Sequence, residues 1–113
     1  ENINSGCDLP VNHIHILENE YVLYNVDFNI GGFQFDVDGA TVNESSGGAA
    51  AAAGFTVNSS ESTVIGFSFT GSAIYAGCGT LIELDLNGTS NLLTEIVFSD
   101  DQSNAISISY FIP

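Results

Sequence analysis

The chain has 113 residues, of which 14 are Asp or Glu and none is Lys or Arg, giving a formal net charge of -14 at pH 7. With no permanent cation it cannot hold a phosphate backbone, cradle a nucleotide with a lysine or attach to an anionic lipid surface, which excludes DNA, RNA and most anionic substrates. A hydrophobic content of 44%, with 8 Phe and 4 Tyr, is that of a folding chain rather than an acidic tail, and one domain over residues 1–113 is expected.

Residues 1–11 precede any periodic segment and read as an N-terminal arm that a neighbouring subunit could take up as an added strand. Ile14 and Ile16, then Val22, Tyr24 and Val26, predict two strands joined by a turn at Glu18-Asn19-Glu20. In the next strand Phe33, Phe35 and Val37 share one face, Gln34, Asp36 and Asp38 the other, and Asp38-Gly39 predicts the turn that ends it. The alanines 49–53 suffice for one helical turn, capped by Ser45 or Ser46, but not for an independent helix. A strand over Gly54 to Asn58 follows, and then one whose inward face is read as Ile65, Phe67 and Phe69. Ile82, Leu84 and Leu86 alternate up to a predicted turn at Asn87-Gly88, and Glu95 to Ser99 and Ile106, Ile108 and Tyr110 complete the series. About eight or nine short strands separated by Gly, Asn and Asp turns predict an all-β fold, a single jelly-roll or Ig-like antiparallel β-sandwich with one short Ala-rich helical turn. No segment approaches the ~20 apolar residues of a membrane-spanning helix, so no membrane insertion is expected.

Cys7 and Cys78 each lie beside glycine. An even count predicts one disulfide of a secreted protein, the alternative being two free thiols in a cytosolic one. Closing a loop of about 70 residues would stabilise by about 4 kcal/mol in the chain-entropy model. Three N-x-S/T sequons, at Asn43, Asn58 and Asn87, are candidate glycosylation sites and point to the same compartment. The chain contains no Met and starts at Glu1, so a processed chain or one piece of a longer protein is expected.

Four groups of residues invite a chemical reading. His13 and His15 share a strand face at a spacing that could chelate zinc or copper given a third ligand, against the plainer reading of two polar residues on the wet face. Asp36 and Asp38 present hard oxygen ligands that could bind Ca2+, although no cofactor is required by the pattern. Glu83 and Asp85 could form a two-carboxylate hydrolase pair, but no Gly-x-Ser-x-Gly elbow accompanies the histidines, and no enzyme is expected. Tyr21, Tyr75 and Phe111 are the aromatics placed outside the core, as a sugar-binding face would need.

The segments Ile30-Gly31-Gly32-Phe33-Gln34-Phe35-Asp36-Val37-Asp38-Gly39, Gly54-Phe55-Thr56-Val57, Val64-Ile65-Gly66-Phe67-Ser68-Phe69 and Gly79-Thr80-Leu81-Ile82-Glu83-Leu84 occur in an order that resembles a cohesin-type domain over about residues 12–112. The resemblance implies an extracellular, non-catalytic jelly-roll module, related in fold to carbohydrate-binding modules, in which a sheet face centred on the middle strands docks a partner such as a dockerin. The Cys7/Cys78 pair and the missing basic residues depart from that pattern. The function expected is therefore a structural or adhesive module, a repeating subunit of a secreted filament, surface layer or adhesin. Its partners would be copies of itself, another extracellular protein or glycans, and the alternative is a dockerin-type or carbohydrate-binding module.

Overall fold

A computed structural model of the chain describes residues 3–113, so Glu1 and Asn2 of the expected arm lie outside the described residues. The fold is all-β. Its strands are β1 (His13–Ile16), β2 (Tyr21–Val26), β3 (Ile30–Ser46), β4 (Thr56–Ser59), β5 (Thr63–Phe67), β6 (Gly77–Asp100), β7 (Ala105–Ile106) and β8 (Ser109–Tyr110), with a short α-helix α1 (Gly48–Ala52) and a one-turn 3-10 helix at Gly6–Asp8. They form one sheet in the order β4-β5-β3-β6-β2-β1-β8, with β7 added to β6. Pairing is antiparallel throughout except that β8 runs parallel to β1, so the sheet is mixed rather than purely antiparallel.

Two strands are far longer than their turn residues predict. Neither Asp38-Gly39 nor Asn87-Gly88 reverses the chain, because the two pairs meet each other: Ala40 pairs with Gly88, and Asp38 pairs with Leu92. One residue of β3 thus spans residues 89–91 of β6, a bulge at which both strands of the ribbon bend together. Gly39 (φ 90) and Gly88 (φ 104) supply the left-handed backbone that this corner needs. The bend flips the parity of the buried set, from Phe33, Phe35 and Val37 to Val42 in β3, and from Leu84 and Leu86 to Leu93 in β6.

The bend is what turns one sheet into two layers. The second half of β6 joins β3, β5 and β4 in one layer, and its first half joins β2 and β1 in the other. Phe33, Phe35, Val64 and Phe98 from the first meet Ile14, Val22, Tyr24 and Ile82 from the second in one apolar cluster. The shortest extent of the molecule, 22 Å, suits two sheets about 10 Å apart with their outer side chains. Phe33 stacks near Phe35 and Phe55, with ring centroids 6.1 and 6.2 Å away. Among the described residues, no polar or charged side chain is buried. Burial and the hydrogen-bond ladder therefore carry the fold without internal ion pairs.

The phase of β5 is opposite to that read from the sequence. Val64 and Gly66 face inward, while Ile65 is 38% and Phe69 79% exposed. The cause is Phe33: its ring fills the space where a side chain at residue 66 would lie, so a Cβ on Gly66 would run into it. A glycine on the inward face made the strand look as if its aromatics pointed in.

Candidate functional site

The two layers differ in what covers their outer faces. On the β1–β2–β6 layer, Leu23 and Asn25 point away from the main core, yet Leu23 is only 2% exposed. The N-terminal segment lies there. Asn25 donates from Nδ2 to the Leu9 carbonyl (2.8 Å), Leu9 is buried, and the Asn12 amide donates to the Asn25 carbonyl (2.6 Å). Gly6 is so close to β2 and β6 that a Cβ on it would run into the carbonyls of Tyr24 and Gly79.

The Cys7–Cys78 disulfide locks this segment down, with Cα atoms 5.0 Å apart and a sequence separation of 71. Asp8 closes the one-turn 3-10 helix Gly6–Asp8 by accepting the amides of Asn4 (2.9 Å) and Ser5 (3.1 Å), which holds its carboxyl below the ordinary value of 3.8. Residues 6–9 of the N-terminal arm are thus a strap on their own domain, stapled to its body by the expected bond.

The β4–β5–β3–β6 layer has no such cover among the described residues. Cross-strand register aligns Asn58, Ile65, Gln34 and Val97 in one outward row and Thr56, Phe67, Gly32 and Ser99 in the next. Val97 is 56% exposed, and Phe69 stands on Phe67 edge-to-face with centroids 4.9 Å apart. None of these residues is charged, although the chain carries -14 overall. Acids bound the patch: Asp36 pairs with Thr63 and Thr94 in the adjoining row, and Asp100 lies beyond Ser99. Asp100 accepts the amides of Gln102 (2.9 Å) and Asn104 (2.8 Å), and that bonding, led by Asn104, holds its carboxyl below 3.8. An exposed apolar patch within a polar rim is the ordinary mark of a contact surface.

The other residues singled out from the sequence are dispersed. His13 donates from Nδ1 to the Val11 carbonyl and His15 from Nδ1 to the Phe111 carbonyl, each at 2.9 Å. Phe111 meets both imidazoles edge-on, with centroids 6.1 and 6.3 Å away, so the pair seats the C-terminal strand β8. Tyr110 beside them is pushed up from 10.0 by burial, and its phenol oxygen accepts the Ile16 amide.

One carboxylate oxygen of Asp36 takes the Thr63 hydroxyl at 2.6 Å, while Asp38 is exposed. Among the described residues, no three His, Cys, Asp or Glu side chains gather as a metal-holding group. Glu83 lies under Gly47, where a Cβ would be 3.1 Å from its carboxyl, and Asp85 pairs with Glu44 across the ribbon.

Tyr21 (36% exposed) is on β2, and Tyr75 (78% exposed) stands in the segment before β6. Tyr75 overhangs a 280 Å³ hollow lined by Tyr24, Ala49, Ala52, Ala53 and Ala73. With Phe111 on the histidines, the three aromatics occupy separate elements rather than a planar row. The sequon asparagines Asn43, Asn58 and Asn87 are all exposed, on strands rather than in turns.

The open face was missed from the sequence because the phase of β5 put Ile65, Phe67 and Phe69 in the core. The one signal that could have found it was Gly66, an unfilled position opposite a phenylalanine-rich strand. No helix among the described residues is long and apolar enough to cross a membrane. No family model, curated protein or solved structure matches the chain.

Proposed function

We propose that this chain is a non-catalytic extracellular module, a repeating structural or adhesive subunit of a secreted filament, surface layer or adhesin. Its contact surface is the open outer face of β4–β5–β3–β6. The observation that carries this reading is the uncharged apolar patch of Ile65, Phe67, Phe69 and Val97 on a protein whose charge is otherwise wholly negative. Two copies of charge -14 repel wherever acids face each other, so close approach is cheapest where acids are missing.

The disulfide supports an oxidising compartment. The resemblance to cohesin-type domains, whose partner docks on a sheet face centred on the middle strands, supports the choice of face. Calcium has a place here as an ion that screens or bridges acidic rims such as Asp36 and Asp38, not as a required cofactor.

Sedimentation over a concentration series, with electron microscopy of the concentrated sample, tests the reading. The chain associates, more strongly as salt screens its acids, and Phe69→Asp with Val97→Asp abolishes the association. A wild-type chain without glycans that stays monomeric at millimolar concentration with and without salt and calcium contradicts it.

One observation favours a second reading as a carbohydrate-binding module: the exposed Tyr75 ring over its alanine-lined hollow. Polysaccharide binding that disappears in Tyr75→Ala at unchanged stability would put that reading first.

A further inference from the structure

The asparagines of all three sequons are exposed, so being exposed does not set one apart. Their neighbours do. Asn43 lies at a β3 bulge next to the Glu44–Asp85 pair, and Asn87 pairs with Thr41 at the corner, with polar or acidic surface around both. Asn58 is on the edge strand β4 opposite Ile65. Val57 packs toward the core, so Asn58 points outward and begins the row Asn58–Ile65–Gln34–Val97. A shallow hollow of 250 Å³ lined by Asn58, Ser59, Ser60, Thr63 and Ile65 opens beside it. Among the described residues, no further strand pairs with the outer edge of β4.

We infer that Asn58 is a glycosylation site whose N-linked oligosaccharide lies over the open face and regulates its use as a contact surface. This rests on the contact-face reading above and adds its control. From Asn58 to Val97 is three strand spacings, roughly 14 Å, which a few sugar units span. The C–H faces of the sugars cover Ile65 and Val97, and their hydroxyls meet Gln34, Thr56 and water.

In the modification, Asn58 Nδ2 bonds to the anomeric carbon of a lipid-diphosphate-linked oligosaccharide. The bond from that carbon to the diphosphate oxygen breaks, the lipid diphosphate leaves, and Nδ2 gives up one proton. A secretory oligosaccharyltransferase catalyses the transfer from that lipid-linked donor. The modified module keeps its face covered and stays apart; the unmodified one docks.

The chain secreted from a eukaryotic host tests this in three forms: wild type, Asn58→Gln, and Asn43→Gln with Asn87→Gln. Glycopeptide mass spectrometry is expected to find Asn58 occupied. In sedimentation, the form glycosylated only at Asn58 associates at least about tenfold more weakly than Asn58→Gln. Trimming its glycan with an endoglycosidase restores association, and equal urea midpoints exclude misfolding as the cause.

An unoccupied Asn58 overturns the inference. So does equal association of the two forms when Phe69→Asp still abolishes it, and in that case the contact-face reading stands alone. If no form associates, glycan-free protein included, the contact-face reading fails and the inference falls with it.

Discussion

The β1–β2–β6 layer and the β4–β5–β3–β6 layer share one core but meet the solvent differently. On the first, Leu23 points outward and is still buried, and Gly6 to Leu9 lies on this layer beside Asn25, held down by the Cys7–Cys78 bond. On the second, Ile65, Phe69 and Val97 point outward and remain in water. The difference teaches where each face spends its apolar surface. The covered face uses it for the stability of the chain itself, and the open face leaves it in water, as the proposed contact surface requires.

The largest effects should come from the shared core and from the strap. Phe35 is fully buried, and Phe35→Ala should cost about 3–5 kcal/mol, read from urea unfolding. Cys7→Ser with Cys78→Ser should cost about 4 kcal/mol in the chain-entropy model and leave the open face unaffected. If the strap covers Leu23, this double variant also exposes a second apolar surface, and dye binding rises there first. No change in dye binding would mean that the strap stays docked without its bond.

Gly66→Ala comes next. Its Cβ would enter the Phe33 ring, and overpacking of this kind costs about 1–3 kcal/mol. Adding Phe33→Leu should recover part of the loss, which a simple strand-propensity effect would not allow.

Val97→Asp on the open face should change stability by no more than about 0.5 kcal/mol while weakening association, the reverse of the core variants.

Smallest is the acid response of the strap. Hydrogen bonds from Asn4 and Ser5 hold the Asp8 carboxyl below 3.8, so its stabilising contribution is present above that value. It is lost as the pH falls through the lowered folded value. The protection of the Asn4 and Ser5 amides, taken relative to intrinsic exchange at each pH, should fall across that range in the wild type. In Asp8→Asn it should be low at every pH.

Much of the β1–β2 side was legible in the sequence. Ile14, Ile16, Val22, Tyr24, Val26, Ile82 and Leu84 recur at every second position, with polar residues between them except at Leu23, and all are buried. The pairing of Cys7 with Cys78 also followed from an even count. The corner was not legible, because Asp-Gly and Asn-Gly are hairpin signals taken singly, and only their pairing across the ribbon makes them a bend.

The open face was hidden for a different reason. In β5 the inward position is a glycine filled by a residue of β3, so local alternation named the wrong face. That the bond staples the N-terminal segment to the body was legible from the cysteines, whereas the close approach of Gly6 to β2 and β6 was not, because a missing side chain leaves no periodic signal.

The contrast between the faces is tested most directly by hydroxyl-radical footprinting at low and high protein concentration. The account predicts that in dilute protein Phe69 and Val97 are oxidised while Leu9 and Leu23 are spared. At associating concentrations Phe69 and Val97 should become protected, with Leu9 and Leu23 unchanged. Protection that appears elsewhere while Phe69 stays reactive, or oxidation of Leu23 as fast as that of Phe69 in the oxidised monomer, would contradict it.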